Sequence, residues 1–394
     1  MNVLHATSTI SKRGGGVASY LWSLAEQQAR AGIKLTIAGL EDDQVGLDRD
    51  TYASWGEIVT ATPTGPRALG WSRRLARRLA SVIPNMDLVH IHGLRAVLSR
   101  DVRRAAVRHR KPLIISPHGQ LYPQVLARNP VRKALLARLF VDADLKAASY
   151  LHATSTAEAE HIKSYGLNRS IAVVPIGIDA DAYRLEVEQA RRAVDRRFSV
   201  LAGRRRIVVL ALLHPKKGLE RLAMSWGRLN KDFKEWRLVI AGPDAGYEAQ
   251  SRAAFAAHAP GDSVLWIGPV YGRDKAELLA GSDVLVLPSD WENFGIVVLE
   301  ALAAGIPAIT TTGSPWRELP QRDCGWWVRP TAGALAETLA TAMAMEDPRL
   351  RSMGERGRQL VYEKYTWDRC GAQMMSLYES TIRGEKWPGL GQGS

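Results

Sequence analysis

Short apolar runs, separated by helix-length segments and seldom alternating polar with apolar, set the tightest limit on how this chain can fold. A strand with one face in water alternates, whereas a strand buried on both faces reads as a nearly continuous apolar run, the habit of parallel sheets covered by helices. One series comprises NVLHAT (2–7), KLTIAGL (34–40), DLVHIHG (87–93), PLIISPHG (112–119), YLHATS (150–155) and IAVVPIGI (171–178). A second comprises RIVVLALL (206–213), RLVIAGP (237–243), VLWIG (264–268), DVLVLPS (283–289) and PAITTT (307–312). Two series predict two doubly wound, Rossmann-like α/β domains, at 1–180 and 200–366, and 394 residues exceed what one compact domain ordinarily needs. Between them, 180–205 reads as a solvated helix and linker, and a C-terminal helix at about 367–385 is expected to pack back on the first domain. The tail KWPGLGQGS is expected to be disordered. Ligands of such sheets bind beyond the carboxyl ends of the strands, so two sheets facing across a cleft would hold theirs in the loops lining it.

Composition narrows the function classes. The opening MNVLHATSTISKRGGG lacks the apolar core and cleavage site of a secretory signal, and no apolar run reaches the ~18 residues of a membrane span. Cys324 and Cys370 form no CxxC or Cys/His spacing, so neither a disulfide framework nor a cysteine-based metal site is expected, and a cytoplasmic location fits. The net charge of +13 is uneven: Arg67 to Lys111 holds twelve Lys or Arg against Asp87 and Asp101. Such a surface attracts anions, or simply solubilises the chain. Nucleic acid is not expected, because the stretch lacks interleaved aromatics and a reader motif. Within it, Trp71, Leu75, Leu79 and Val82 form a helical stripe with Arg73, Arg74, Arg77 and Arg78 elsewhere. That is either a sheet-covering helix with a basic outer face or a contact with anionic lipid on the inner face of a membrane.

Several motifs carry possible chemistry. Gly14, Gly15 and Gly16 follow the first strand and precede an apolar-faced helix through Val17, Leu21, Leu24 and Ala25, so the loop is either a phosphate cradle or a plain tight turn. In SDWENFGIVVLEALAAGIP, Glu292 falls in the loop after a strand and Glu300 inside the following helix, which should begin near Phe294. Asn293, Phe294 and Gly295 would then offer N–H groups at the positive helix end, suited to a diphosphate, with a ribose beside Glu300 and a sugar hydroxyl at Glu292. The other reading is an apolar helix with two surface glutamates. The DAD triplets at Asp142–Asp144 and Asp179–Asp181 read as solvated polar positions rather than metal ligands, and His90 and His92 of HIHG as a strand-end pair. Trp326 and Trp327 are expected to pack at a strand end.

ENFGIVVLE resembles the EX7E motif of the retaining glycosyltransferases of family 4, which share the two-domain GT-B fold. HPKKGLERL resembles that family's basic-glycine element, HATSTAEAEHIKSYGL and IAVVPIGID the segments leading to its hinge, and MGERGRQLVYEKYTWDRCGAQMMSLYE its C-terminal helices. SPHGQLYPQVL is similar to the HG-containing loop of members that build bacterial surface polysaccharides. The resemblance implies a metal-independent, retaining enzyme that moves a sugar from a nucleotide diphosphate sugar to a glycan or lipid-linked hydroxyl, cytoplasmic or peripheral on the inner face of the plasma membrane. It implies that Glu300 binds the ribose, that Glu292 contacts the donor sugar, and that Asn293 to Gly295 hold the diphosphate. Lys217 would neutralise the leaving oxygens, His118 would touch the sugar near its primary hydroxyl, Gly14 to Gly16 would face the phosphates, and Gly268 to Val270 would lie near the base. One position departs from the pattern. Relatives usually carry Arg five residues before the lysine, where this chain has Leu212. Lys216, His214 or an Arg of 204–206 could take its place, or the protein could be slow, or bind nucleotide as a silent scaffold.

Overall fold

The computed structural model describes residues 1–11, 15–42, 53–64, 70–94, 96–229 and 232–389. The chain divides into two compact units, one of residues 1–177 with 367–394 and one of residues 178–366.

In the first unit, seven strands pair in parallel: β1 (Asn2–Thr9), β2 (Lys34–Leu40), β3 (Glu57–Ala61), β4 (Leu88–His92), β5 (Leu113–Ser116), β6 (Tyr150–Ala153) and β7 (Ile171–Val173). Their spatial order is β3-β2-β1-β4-β5-β6-β7, so the winding reverses between β1 and β4. Every residue of β4 and β5 is buried, which explains why those runs do not alternate. The predicted runs miss β3, an edge strand of five residues that opens on a glutamate. Helix α1 (Gly15–Arg30) buries Leu21, Leu24 and Ala25, and Gly32 (φ +78°) lies just beyond it, in the left-handed conformation that ends helices cheaply. Helix α2 (Arg73–Val82) is capped by Ser72, whose side chain accepts from the Leu75 N–H. It buries Leu75 and Leu79 and exposes its four arginines, so the stripe read from the sequence faces the sheet. A more exposed apolar row lies on α3 (Pro130–Leu136) and the π turn after it: Val131, Leu135 and Leu139, spaced by four, are 83%, 57% and 64% exposed.

The second unit holds β8 (Arg205–Leu210), β9 (Trp236–Ala241), β10 (Val264–Gly268), β11 (Val284–Leu287), β12 (Ala308–Thr311) and β13 (Gly325–Val328), all parallel, in the order β10-β9-β8-β11-β12-β13. Here the winding reverses between β8 and β11. Residues 187–197, read from the sequence as a solvated helix and linker, form helix α4 (Val187–Arg197) within this unit. It buries Ala190 and Val194, and Arg191 holds Asp283 at 2.5 Å. The unit also contains α5 (Gly272–Ala280) and α6 (Ile296–Ala304). Helix α6 is apolar on nearly all sides, and Val298, Leu299 and Leu302 are fully enclosed, each worth about 1.5–3 kcal/mol of burial. Trp326 and Trp327 lie in edge strand β13, where the Trp327 indole donates to the Ser314 carbonyl.

The chain then returns to the first unit as α7 (Trp367–Arg383), which packs on α1 and buries Cys370, Met374, Leu377 and Tyr378. Beyond it the Trp387 N–H donates to the Tyr150 hydroxyl, and residues 390–394 of the KWPGLGQGS tail lie outside the described residues. Among the described residues, no helix is long and apolar enough to cross a membrane.

Candidate functional site

The reversal between β8 and β11 is where a doubly wound sheet opens a crevice, and the loops after these two strands carry the basic-glycine element and Glu292. The loops are locked together. A Cβ on Gly218 (φ +66°) would sit 2.2 Å from the Pro288 carbonyl oxygen, so only glycine allows this approach. The Asp290 N–H donates to the Lys216 carbonyl at 2.8 Å, and the Arg221 guanidinium spans the Pro288 carbonyl and Asp290. Lys217 Nζ thereby reaches Glu292 Oε1, which also accepts from the Ser289 hydroxyl at 2.7 Å. Lys216 Nζ stands 4.4 Å from the centre of the Trp291 ring. Burial works to raise the Glu292 carboxyl, but the charges of Lys217 and Lys216 and the bonds from Lys217 and Ser289 outweigh it and hold the group below its ordinary value. The pair is a stored charge separation, 7% exposed at Glu292.

Helix α6 begins two residues later than the sequence suggests, at Ile296, with Gly295 (φ +79°) as its left-handed N-cap. Glu292 therefore lies in the loop and Glu300 in the second turn, and no side chain caps the helix start. Phe294 turns its ring inward against Trp316, whose indole donates to the Phe294 carbonyl at 2.7 Å, which fixes the strand-to-helix turn. Glu300 is buried rather than a surface group. Its Oε1 accepts from Lys275 Nζ of α5 at 2.5 Å and from the Tyr183 hydroxyl at 2.9 Å. Burial and the Glu300 charge raise the Tyr183 phenol, keeping it protonated as a donor. Among the described residues, Oε2 has no hydrogen-bond partner on either Glu292 or Glu300. Gly268 (φ +74°) ends β10 with open space where a Cβ would be, and Val270 is buried.

In the first unit, Gly15 (φ +58°) and Gly16 open α1 with nothing within 4 Å of a built Cβ, and Gly14 lies outside the described residues. His118 follows β5 with a left-handed backbone (φ +51°). The carboxylate of Glu158 holds that turn, accepting from the Gly119 N–H at 2.6 Å and from the Thr154 N–H at 2.8 Å. Tyr20 of α1 meets the His118 ring edge-on at 5.4 Å. Burial, helped by nearby His152, lowers His118 from 6.5 to about 3, so it is neutral at physiological pH.

Other readings need correction. Asp144 is fully buried between Ser99 and Arg103, not solvated, whereas Asp179 and Asp181 are exposed as expected, and Asp142 and Asp181 accept from Tyr165 and Tyr362. Arg205 and Arg206 cannot stand in for an arginine at position 212. They lie at the opposite end of β8 and bind the Met343, Met345, Gly281 and Leu201 carbonyls together with Asp347 and Asp195. Leu212 itself is 45% exposed. His90 and His92 gain a third neighbour, His5, with nitrogens of all three within 4.8 Å, a spacing a metal could use. Each of those nitrogens is in a hydrogen bond, so a metal would have to displace an existing partner. Sequence reasoning missed Tyr183 and Lys275: no spacing ties a short turn or the first turn of an ordinary helix to Glu300.

Comparison with known proteins agrees with this architecture. Residues 192–360 match the family described as glycosyl transferases group 1, and residues 14–182 match glycosyltransferase family 4. The chain is 24% identical, over 79% of its length and 80% of the relative's, to an N-acetyl-alpha-D-glucosaminyl L-malate synthase of Bacillus anthracis. It is 26% identical, over 94% of its length and 96% of the relative's, to a GDP-mannose-dependent alpha-(1-6)-phosphatidylinositol monomannoside mannosyltransferase of Mycobacterium tuberculosis. The fold is that of Anabaena HepE solved with UDP and glucose, with a TM-score of 0.78 at 18% identity over 96% of this chain and all of that one. The chain is a glycosyltransferase of GT-B fold, related to the group 1 and family 4 sugar-nucleotide transferases.

Proposed function

We propose that this glycosyltransferase is metal-independent and retaining, and passes a sugar from a nucleotide diphosphate sugar to a hydroxyl of a glycan or lipid-linked acceptor in cell-surface polysaccharide assembly at the cytoplasmic face. What carries the reading is the switch point of the second unit. Two buried carboxylates each commit Oε1 to the protein and keep Oε2 for a ligand, and Lys217 stands beside one of them. Glu300 Oε2 accepts from a ribose hydroxyl and Glu292 Oε2 from the donor sugar. The N–H groups of Asn293, Phe294 and Gly295, with the positive end of α6, face the diphosphate. Gly268 and Val270 line the place of the base. As the sugar C1–O bond breaks, charge builds on the departing phosphate. The ammonium of Lys217, whose protons can be shared between Glu292 and phosphate, stabilises that charge, and Lys216 lies beside it. The acceptor oxygen bonds to C1 from the same face, and its proton passes to the leaving phosphate. In the first unit, Gly15 and Gly16 offer backbone N–H groups to an anion, and His118 meets the sugar as a neutral imidazole. Support for a lipid-linked acceptor comes from the name of the mycobacterial relative and from the exposed row on α3, flanked by exposed Arg128, Arg132 and Arg138.

Incubation with a panel of nucleotide sugars, with and without lipid-extract acceptors, tests this by following released nucleotide and the anomeric configuration of the product in a chelator. Release with retention is expected. An inverted product, or dependence on added metal, overturns the mechanism. In the same assay Leu212→Arg, at an exposed position, is expected to speed turnover by about tenfold or less, the worth of one exposed charge contact. No gain would mean that Lys217 and α6 already suffice.

A further inference from the structure

Around β4, the first unit encloses His5, His90, His92 and His152 with His118 at the rim, and their hydrogen bonds form two directed runs, one ending on Tyr378 and the other starting on Gln28. A backbone carbonyl can only accept, so His152 donates from Nε2 to the Val174 carbonyl at 2.8 Å, and its Nδ1 is bare. Ser116 must then donate to that Nδ1 at 2.7 Å. With its one proton used, Ser116 accepts from His90 Nε2 at 2.7 Å, so His90 Nδ1 is bare and accepts from the Tyr378 hydroxyl at 2.6 Å. With its proton given to His90, the Tyr378 oxygen is left as an acceptor, so an amide N–H rather than an amide oxygen suits the space beside it. The Gln28 amide nitrogen is buried and closes no hydrogen bond among the described residues, while its oxygen is committed to His5.

The orientation of Gln28 sets the second run. With its nitrogen towards Tyr378, its oxygen faces His5 and accepts from His5 Nε2 at 2.7 Å. His5 Nδ1 then accepts from His92 Nε2 at 2.9 Å, and His92 Nδ1 accepts from His118 Nε2 at 3.1 Å. His118 Nδ1 is left bare and has no partner among the described residues.

We propose that these two runs, the first anchored on the Val174 carbonyl, lock His118 as its Nε2–H tautomer and present Nδ1 as a hydrogen-bond acceptor to a substrate hydroxyl, with Gln28, His5, His92, His90 and Tyr378 as positioning residues. The role of Nδ1 rests on the reading of His118 as a group that touches substrate, whereas the proton assignment does not. Direction in both runs requires every imidazole to be neutral. Burial lowers all five, His5 and His152 to about 4, so at neutral pH the condition holds. The chemistry recognised at Nδ1 is specific. An O–H donor fits, whereas a phosphate oxygen would bring lone pair against lone pair. A turned Gln28 amide would reverse His5, His92 and His118 together and make Nδ1 a donor instead.

The test uses the full chain with 15N-labelled histidine and correlates ring nitrogens with ring protons at neutral pH, His118→Asn identifying the His118 signals. The expected spectrum has a protonated, pyrrole-type Nε2 and a bare, pyridine-type Nδ1 on His118, unchanged by a chelator. The opposite tautomer, an imidazolium, or a chelator-dependent spectrum overturns the assignment. Tyr378→Phe, with folding checked by circular dichroism, releases Gln28. It is expected to mix the two His118 tautomers and lower kcat about two- to tenfold, the scale of one weakened hydrogen bond, with donor KM little changed. A folded Tyr378→Phe protein whose His118 signals stay put overturns the coupling. Because the spectra need neither donor nor acceptor, a failure of the sugar-transfer reading would leave this result standing or falling by itself.

Discussion

The carboxyl ends of the two sheets are built from opposite chemistry. In the second unit, the loops after β8 and β11 hold paired charges, Lys217 with Glu292, and Lys275 on α5 holds Glu300. In the first, the strand ends around β4 hold a row of neutral imidazoles whose order lies in proton positions rather than in charge. Each arrangement suits a different demand. Preorganised charge stabilises an oxygen that becomes negative during reaction, while a neutral acceptor orients a hydroxyl without pulling on an anion. Their weaknesses differ too: a charge pair suffers when one member is removed, and a neutral chain suffers when it is protonated.

The largest consequence is at Lys217. Lys217→Ala is expected to lower kcat by about 10²–10³-fold, the effect of losing one preorganised donor. It also strands a buried carboxylate, which costs about 3–5 kcal/mol when a buried pair is broken on one side. Side-chain exposures of 13% and 9% place the pair well inside that regime. Lys217→Met with Glu292→Gln removes both charges, so the melting temperature should recover while sugar transfer stays lost. Thermal unfolding and nucleotide release on the three proteins separate the two roles, and transfer that survives Lys217→Ala would remove the leaving-group assignment.

Acid should distinguish the ends next. The histidines fold with values depressed from 6.5, to about 4 at His5 and His152 and about 3 at His118, chiefly through burial. Their stabilising contribution is therefore full above pH 6.5 and is lost as pH falls through the folded values. Glu292 is also depressed, through Lys217, Lys216 and Ser289 acting against burial, but its contribution is full down to the ordinary glutamate value of about 4.3 and is lost only below it. At pH 5, hydrogen exchange should accelerate in peptides covering 86–94 and stay slow in peptides covering 284–300. The reverse order would contradict the assignment of neutral imidazoles to the first unit.

How far these sites could be read in the sequence follows from the range of the interactions. The parallel strands were legible because two-faced burial writes itself as unbroken apolar runs, and the β11–α6 turn was legible because loop and helix composition switch within a few residues. Edge strands β3 and β13 were not, since EIVTA and GWWV are short and one opens on a charge while the other opens on glycine. Contacts across long separations left no trace. Tyr183 meets Glu300 across 117 residues and Tyr378 meets His90 across 288, and neither pairing imposes a spacing on the sequence. HIHG showed two histidines on one side of β4, yet the five-imidazole cluster needs neighbours from β1, β6 and the loop after β5.

The smallest expected effect concerns the surface of the first unit, where two helical stripes of similar composition meet different fates. On α2, Leu75 and Leu79 are buried against the sheet, so the apolar half is already used and the arginines face water. On α3 and the following turn, Val131, Leu135 and Leu139 stay exposed beside Arg132 and Arg138, the amphipathic pattern that lies in an anionic lipid surface. Three aliphatic side chains and a few arginines supply only a few kcal/mol, at about 1 kcal/mol for each basic residue near such a surface, so binding should be weak and reversible. Flotation with vesicles of phosphatidylglycerol is expected at low salt, to weaken at high salt, and to drop severalfold for Val131→Ser with Leu135→Ser and Leu139→Ser. Replacing Arg73, Arg74, Arg77 and Arg78 by Gln should weaken only the salt-sensitive part. If the α3 variant floats as well as the parent protein, the apolar row has no lipid role and charge alone draws the protein to the surface.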